Sequence, residues 1–139
     1  PRGASAAVAG VGTGREPAPW GSGTVGRADG FAAALAAAVS PLRATARRCG
    51  AWTTDLMHEP DRRREVELLF ARFGDVLVPG TPLLSPLRET GDLGAAALPY
   101  FWVLALEAWR LGYAPDTLAL LIAGDDGPAR GATLLEVIA

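Results

Sequence analysis

The segment 118–138, LALLIAGDDGPARGATLLEVI, determines more of the fold than any other part of the chain. It contains two apolar runs, Leu118 to Ala123 and Ala132 to Ile138. Between them lies Asp125-Asp126-Gly127-Pro128, whose residue types favour tight turns. Because a short turn joins antiparallel neighbours, the segment predicts a closing β-hairpin.

Upstream of this hairpin, β-compatible runs alternate with helical apolar patterns. Pro41 is expected to end the first helix, since proline disrupts the helix interior. A block rich in glycine, proline and serine, Gly12 to Gly26, predicts a loop. The predicted elements are strands at Ala6 to Val11, Ala51 to Leu56 and near Thr81 to Ser85, and helices at Asp29 to Val39, at Asp61 to Phe73 and up to about Leu111.

The resulting order is β-α-β-α-β-α-β-β within a single domain, residues 1–139. Helical crossovers connect parallel strands, whereas the final hairpin adds an antiparallel one. The sequence therefore predicts an α/β fold with a five-stranded, mixed but mostly parallel sheet and helices on both faces. The strand from Leu118 should lie parallel to three others, with the strand from Ala132 antiparallel beside it.

The third predicted helix is apolar around most of its circumference. Its large apolar residues are Phe101, Trp102, Leu104, Leu106, Trp109 and Leu111. A helix of this kind is buried on all sides, yet a single sheet covers one side only. Two explanations remain open: a homodimer interface, or a second half-domain that this sequence does not supply.

Composition excludes several classes of function. All 13 basic residues are arginine, so a mechanism that needs a lysine Schiff base is excluded. The formal net charge of -2 disfavours nucleic acid or an anionic membrane surface as a partner. The longest apolar stretch contains Pro99 and Glu107, which argues against a membrane span. A single cysteine, Cys49, and the lack of a signal-like segment predict a cytoplasmic location.

Four motifs follow one another along almost the whole chain. They are 7–12 (AVAGVG) with the glycine-rich gap and alanine-rich helix after it, 55–60 (DLMHEP), 90–96 (TGDLGAA) and the closing hairpin from Gly124 to Leu135. Their order and spacing resemble the C-terminal half of the β-ketoacyl synthases, a family with the thiolase fold. The segment 55–60 lies where that family has a His-Gly-Thr-Gly-Thr loop, and 90–96 is similar to its Gly-His-x-x-Gly-Ala-Ala motif.

In that family two similar βαβαβαββ halves pack their sheets around a shared pair of buried helices. The resemblance implies that this chain is a C-terminal thiolase-like half-domain, and that its missing partner is the N-terminal half that carries the nucleophilic cysteine. It further implies an acyltransferase family that condenses acyl thioesters in fatty acid or polyketide biosynthesis. An acyl carrier protein is then a candidate partner, and no cofactor or metal is expected.

The chain departs from the family at both histidine positions. Thr54 or Asp55 stands at the first position and Asp92 at the second, while His58 lies close enough to the first to replace it after a local shift. The candidate catalytic residues are therefore Asp55, His58 and Asp92. A carboxylate donates a hydrogen bond to an oxyanion only when it is protonated, so condensation by this chain alone is expected to fail. For Asp92 the alternative role is to accept backbone N–H groups at the start of the next helix.

Three functional hypotheses follow. The chain is a condensing-enzyme region that is inactive alone, a catalytically silent partner subunit of the chain-length-factor type, or a small α/β domain that dimerises through its Trp-rich helix. Other candidate features have simpler structural interpretations. Cys49 is expected to be a structural thiol, the arginines 62–64 a solvated first helical turn, and Asp125-Asp126 a turn rather than a metal site.

Overall fold

The computed structural model describes residues 5–56 and 59–138. Its strands are β1 (Ser5–Arg15), β2 (Trp52–Thr54), β3 (Leu83–Leu84), β4 (Leu118–Gly124) and β5 (Ala129–Ile138). Its α-helices are α1 (Asp29–Ala38), α2 (Ser40–Ala44), α3 (Pro60–Arg72), α4 (Leu87–Thr90) and α5 (Ala97–Leu111). A short 3-10 helix, Gly94–Ala96, leads directly into α5.

The five strands form one mixed sheet in the order β1-β5-β4-β2-β3. Strands β2, β3 and β4 are parallel, and β5 is antiparallel to both of its neighbours, β1 and β4. Strand β1 therefore runs in the same direction as β2, β3 and β4. The predicted α/β class, the five strands and the single antiparallel strand at the closing hairpin are confirmed.

Strand β1 is longer than the sequence suggested. Residues 12–15 were expected in a loop, but they pair with β5 from Gly12 opposite Ala132 to Arg15 opposite Ala129. The glycines there permit a close approach of β1 to α1, because a Cβ atom at Gly12 would overlap the carbonyl oxygen of Ala34. The connecting loop accordingly spans residues 16–28.

Two other boundaries also differ. Strand β3 has two residues rather than five. Helix α1 does end before Pro41, but the proline then lies in the first turn of α2, where it costs no backbone hydrogen bond.

One face of the sheet is covered by α1 and α3. The side chains between these two helices and the sheet form the larger apolar core. Its buried residues include Phe31, Leu35, Trp52, Leu69, Leu120 and Leu134. Alternate residues of β4 and β5, such as Leu120 and Leu134, point to this side. We call it the closed face.

The other face is covered by α5, and its core is smaller. Leu87, Ala97, Phe101, Ala119, Leu121 and Leu135 form it. Within α5, Ala97 and Phe101 are buried, whereas Trp102 is 36% and Val103 55% exposed. We call this the open face, because apolar surface of the helix remains in contact with solvent.

Strand β1 adds to the exposed apolar surface of the open face. Val8 lies opposite Leu135, and Val11 opposite Thr133; directly paired residues point to the same side of a sheet. Since Leu135 belongs to the core under α5, Val8 and Val11 point to that side as well. They are 48% and 59% exposed, so the β1 edge of the open face is uncovered.

No helix among the described residues is long and apolar enough to cross a membrane.

Candidate functional site

A cavity of about 1130 Å3 opens where β2 and β4 end. Asp55 follows β2 directly, and Gly124 is the last residue of β4. The carboxyl ends of parallel strands are a common position for ligand sites in α/β folds. Asp55 and Asp92 both line this cavity, so two of the three predicted site residues are brought together. The third, His58, lies outside the described residues.

Asp55 connects three elements at the floor of the cavity. Its Oδ2 accepts a hydrogen bond from the backbone N–H of Gly124 at 2.7 Å and another from Nη2 of Arg62 at 3.0 Å. The same Nη2 donates to the carbonyl oxygen of Gly124 at 2.8 Å. The end of β2, the end of β4 and the first turn of α3 are thereby joined.

The pKa of Asp55 is set by opposing effects. Burial raises the pKa above its ordinary value, while the positive charge of Arg62 and the N–H of Gly124 act in the opposite direction, with a net rise. In both contacts Oδ2 is the acceptor. The groups around Asp55 therefore engage its ionised form, and none of these contacts prepares it to donate a proton.

A second ion pair, between Arg130 and Glu65, is more deeply buried than the first. Nη2 and Nε of Arg130 donate to the two carboxylate oxygens of Glu65 at 2.9 and 3.2 Å. Nη1 of Arg130 donates to the backbone oxygens of Asp125, Gly127 and Ala129. The Arg130 side chain is only 2% exposed. It thus fixes the closing hairpin to α3 with all of its guanidinium nitrogens engaged.

The two ion pairs form one network. Nη1 of Arg62 lies 3.7 Å from Oε2 of Glu65. Both guanidinium groups also stack on the ring of Phe31, with centroid distances of 5.6 Å for Arg62 and 5.1 Å for Arg130. Cation–π contacts of this kind stabilise a desolvated arginine. We refer to Asp55, Arg62, Glu65 and Arg130 as the floor network.

The floor network was not among the features predicted from the sequence. Arg62 was interpreted as part of a solvated turn, but its side chain is 16% exposed and paired with Asp55. Neighbouring Arg63 and Arg64 are exposed, as expected. For Arg130 a signal did exist, since one arginine interrupts an otherwise small and apolar strand.

Asp92 lies at the rim of the cavity and has a local structural role. Its Oδ1 accepts the backbone N–H of Gly94 at 2.7 Å, and Gly94 begins the 3-10 helix that leads into α5. Asp92 was expected to serve the start of the following helix; it accepts a backbone N–H at the first residue of the 3-10 helix, while α5 itself begins without a side-chain cap. Like Asp55, Asp92 acts as an acceptor.

The loop 16–28 forms one wall of the cavity. It is anchored at Glu16, whose buried carboxylate accepts the N–H of Gly30 at 2.9 Å and whose own N–H donates to Pro128. Trp20 and Val25 lie further along this loop and line the cavity. They are 70% and 63% exposed, so the wall presents apolar surface to the cavity and to solvent.

The remaining candidates have structural roles. Cys49 is fully buried, and burial is the main cause that raises the pKa of its thiol to about 11; it is therefore poorly suited to act as a nucleophile. Asp125 accepts the N–H of Ala129 at 2.9 Å and so belongs to the hairpin turn. Within the described residues, no group of three or more His, Cys, Asp or Glu side chains is arranged to hold a metal ion.

Fold and cavity together define an α/β domain with a candidate ligand site at the carboxyl ends of its parallel strands. No family model matches the chain, and no curated protein or solved structure matches it either.

Proposed function

We propose that this chain is a half-domain of a β-ketoacyl-synthase-like, thiolase-fold protein, and that it contributes binding and assembly rather than catalysis. The β-ketoacyl synthase resemblance rests on the motifs 55–60, 90–96 and the closing hairpin. The strand directions support it, since four strands run one way and β5 runs against them.

The observation that carries the proposal is the open face. Helix α5 exposes Trp102 and Val103, and β1 exposes Val8 and Val11 on the same side of the sheet. Exposed apolar patches beyond a few hundred Å2 mark interaction sites. A partner half-domain would place a helix beside α5 and over β1, and so would bury both sets of side chains.

The chemistry of the cavity supports a non-catalytic role. Asp55 and Asp92, which stand near the family's histidine positions, both accept hydrogen bonds from backbone N–H groups. Stabilising an oxyanion requires donors aimed at the developing charge. Each of these side chains is an acceptor that is already engaged, so neither supplies such a donor.

Light scattering and a hydrophobic dye test the proposal on the wild-type chain and two lysine variants. We expect the wild-type chain to bind the dye or to self-associate as its concentration rises, because the open face lacks a partner. Val103→Lys should reduce both signals. The control Ala36→Lys, on the exposed side of α1, should leave both unchanged. A wild-type chain that is monomeric and dye-negative at high concentration would contradict the open-face argument.

An assay with a malonyl thioester tests the absence of catalysis. The folded chain should give only the background rate of decarboxylation and condensation, because losing one oxyanion donor typically costs on the order of 100- to 1000-fold in rate and several groups are absent here. Turnover by the wild-type chain that is abolished in Asp92→Ala or His58→Ala would make the chain an enzyme in its own right.

A rival function is a small α/β domain that pairs with a second copy through α5. The exposure of Trp102 and Val103 favours it equally. A stable, saturable homodimer that buries these residues supports the rival. Open-ended, concentration-dependent association supports a missing half-domain, because the correct partner would then be a different sequence.

A further inference from the structure

One hydrogen-bond donor on the floor of the cavity has no partner. Arg62 donates twice through Nη2, to the carboxylate of Asp55 at 3.0 Å and to the carbonyl oxygen of Gly124 at 2.8 Å. Its Nη1 is buried, and no described residue accepts a hydrogen bond from it. Oε2 of Glu65 forms an ion pair with Nη1 but lies 3.7 Å away. Since a buried donor without an acceptor is costly, an acceptor placed at Nη1 would stabilise the site.

The positive charge of Arg62, unlike its Nη1 donor, is already balanced. Asp55 and Glu65 both form ion pairs with Arg62. Glu65 and Asp125 likewise pair with Arg130, so three carboxylates face two guanidinium groups. An anionic ligand would add a further negative charge beside these three, and like charges at such distances repel. The unsatisfied donor therefore favours an uncharged acceptor.

The second nitrogen of the same guanidinium indicates which uncharged acceptor fits. Nη2 of Arg62 donates to a peptide carbonyl, that of Gly124, and amide carbonyls are the usual acceptors for buried N–H groups in proteins. An ammonium group has only donors, so it could not serve Nη1. A carboxamide is thus the simplest ligand group that satisfies this donor without adding charge.

Arg62 borders a cavity that is large enough for the rest of such a ligand. Its side chain is 16% exposed and lines the cavity of about 1130 Å3, a volume typical of small-molecule sites. Trp20, Val25 and Leu98 lie in the same lining and supply apolar surface. Because Nη1 itself is covered, a ligand reaches it only when the Arg62 side chain turns slightly toward the cavity.

We propose that this cavity binds an uncharged carboxamide with an apolar substituent. The amide oxygen accepts a hydrogen bond from Nη1 of Arg62 after a small rotation of that side chain. The apolar substituent packs against Trp20, Val25 and Leu98. This inference goes beyond the proposed function and does not depend on the open face, because the site lies at the carboxyl ends of β2 and β4.

Three probes with the same phenylbutyl body test the proposal: 4-phenylbutanamide, 4-phenylbutanoate and 4-phenylbutylammonium. Each is titrated into the 15N-labelled chain, and NMR follows the backbone N–H of Gly124 and the indole N–H of Trp20. We expect the amide to shift both signals, with an affinity about tenfold higher than that of either charged probe. The carboxylate meets like charges on the floor, and the ammonium group supplies no acceptor.

Variants separate the Nη1 donor from the apolar wall. Arg62→Lys removes Nη1 but keeps a positive charge for Asp55, and should abolish the preference for the amide. The control Arg63→Lys makes the same change at an exposed neighbour outside the lining and should have no effect. Trp20→Ala, at a largely exposed position, should weaken the binding of all three probes.

Several results would overturn the inference. They are a charged probe that binds as tightly as the amide, a preference for the amide that survives Arg62→Lys, and binding by none of the three probes. Shifts at Trp102 in place of Trp20 would also overturn it, since they would place the probes on the open face. The ranking of the probes is measured on the wild-type chain, so it tests the proposal even if Arg62→Lys fails to fold. None of these results bears on self-association through the open face, so the cavity and the proposed function fail independently.

Discussion

The two faces of the sheet differ in how completely their helices cover them. On the closed face, α1 and α3 bury a continuous core that includes Phe31, Leu35 and Leu69. On the open face, Phe101 is fully buried, yet Trp102, the next residue of α5, is 36% exposed. The core on the closed face is the larger of the two, and α5 on the open face leaves more of its apolar side chains exposed.

The two faces are therefore expected to contribute differently to the stability of the isolated chain. The closed face buries side chains of β4 and β5 against α1 and α3, and the floor network joins α3 to the closing hairpin. Apolar surface on the open face contributes less to the isolated chain than it would with a partner. Substitutions on the two faces should therefore change the free energy of unfolding by different amounts.

The largest effect is expected on the closed face. Phe31→Ala removes a fully buried ring and the surface on which Arg62 and Arg130 stack, and should lower the free energy of unfolding by about 4 kcal/mol. Trp102→Ala removes a larger side chain from the open face but should cost only about 1 kcal/mol, because the indole is partly in solvent. Urea denaturation of both variants measures the difference. Equal losses would mean that the two faces are equally closed.

The next effect concerns the floor network. Glu65→Gln leaves the buried guanidinium of Arg130 with only the exposed carboxylate of Asp125, 3.8 Å away, as a counter-charge. It should cost about 3 kcal/mol, since breaking a buried ion pair leaves a charge in a poorly solvating interior. The matched control is Asp75→Asn, which breaks the exposed pair with Arg43 and should cost less than about 1 kcal/mol. A similar, small loss in both variants would show that the network is not buried in solution.

Cys49 gives a pH-dependent test of the same closed face. The pKa of its thiol is raised from 9.0 to about 11 in the folded chain, so the unfolded chain loses the proton first as the pH rises. The protonated thiol's contribution to the free energy of unfolding is fully present below pH 9 and is lost between pH 9 and 11, an expected change of about 3 kcal/mol. Cys49→Ser, which does not titrate in this range, should lose less stability over the same interval. An identical alkaline profile in both proteins would contradict the burial of the thiol.

The smallest effect is expected at the rim. Asp92→Ala removes the acceptor for the N–H of Gly94 at the entry to α5 and should lower stability by about 1 kcal/mol. Asp92→Asn keeps an oxygen acceptor and should recover most of it. Thermal unfolding of the two variants provides the measurement, and a loss that asparagine does not recover would point to the charge of Asp92 rather than to its hydrogen bond.

The part of the fold that could be predicted depends on local patterns. The hairpin 118–138 and the alternation of strands and helices follow from periodicity and turn residues, which are visible in a short window. Residues 12–15 were misassigned because their glycines suggest a loop. In the structure these glycines let the strand pack closely against α1, as Gly12 does against Ala34. A local sequence pattern does not contain such a tertiary contact.

The sequence predicted where the candidate site lies but not which side chains interact within it. The motif resemblance brought attention to Asp55 and Asp92, and both line the cavity. It could not reveal that Arg130 pairs with Glu65, because these residues are 65 positions apart and neither belongs to a recognisable motif. Nor could it indicate that the floor charges cancel, which is a property of the assembled network.

Hydrogen exchange at two protein concentrations tests the central claim most directly, because it compares α1 and α5 in the same molecule. At low concentration we expect the backbone amides of α5 to exchange faster than those of α1, since a helix with one uncovered side opens at lower cost. At high concentration the protection of α5 should rise while that of α1 stays constant. Equal protection of the two helices, with no dependence on concentration, would contradict the claim that the open face awaits a partner.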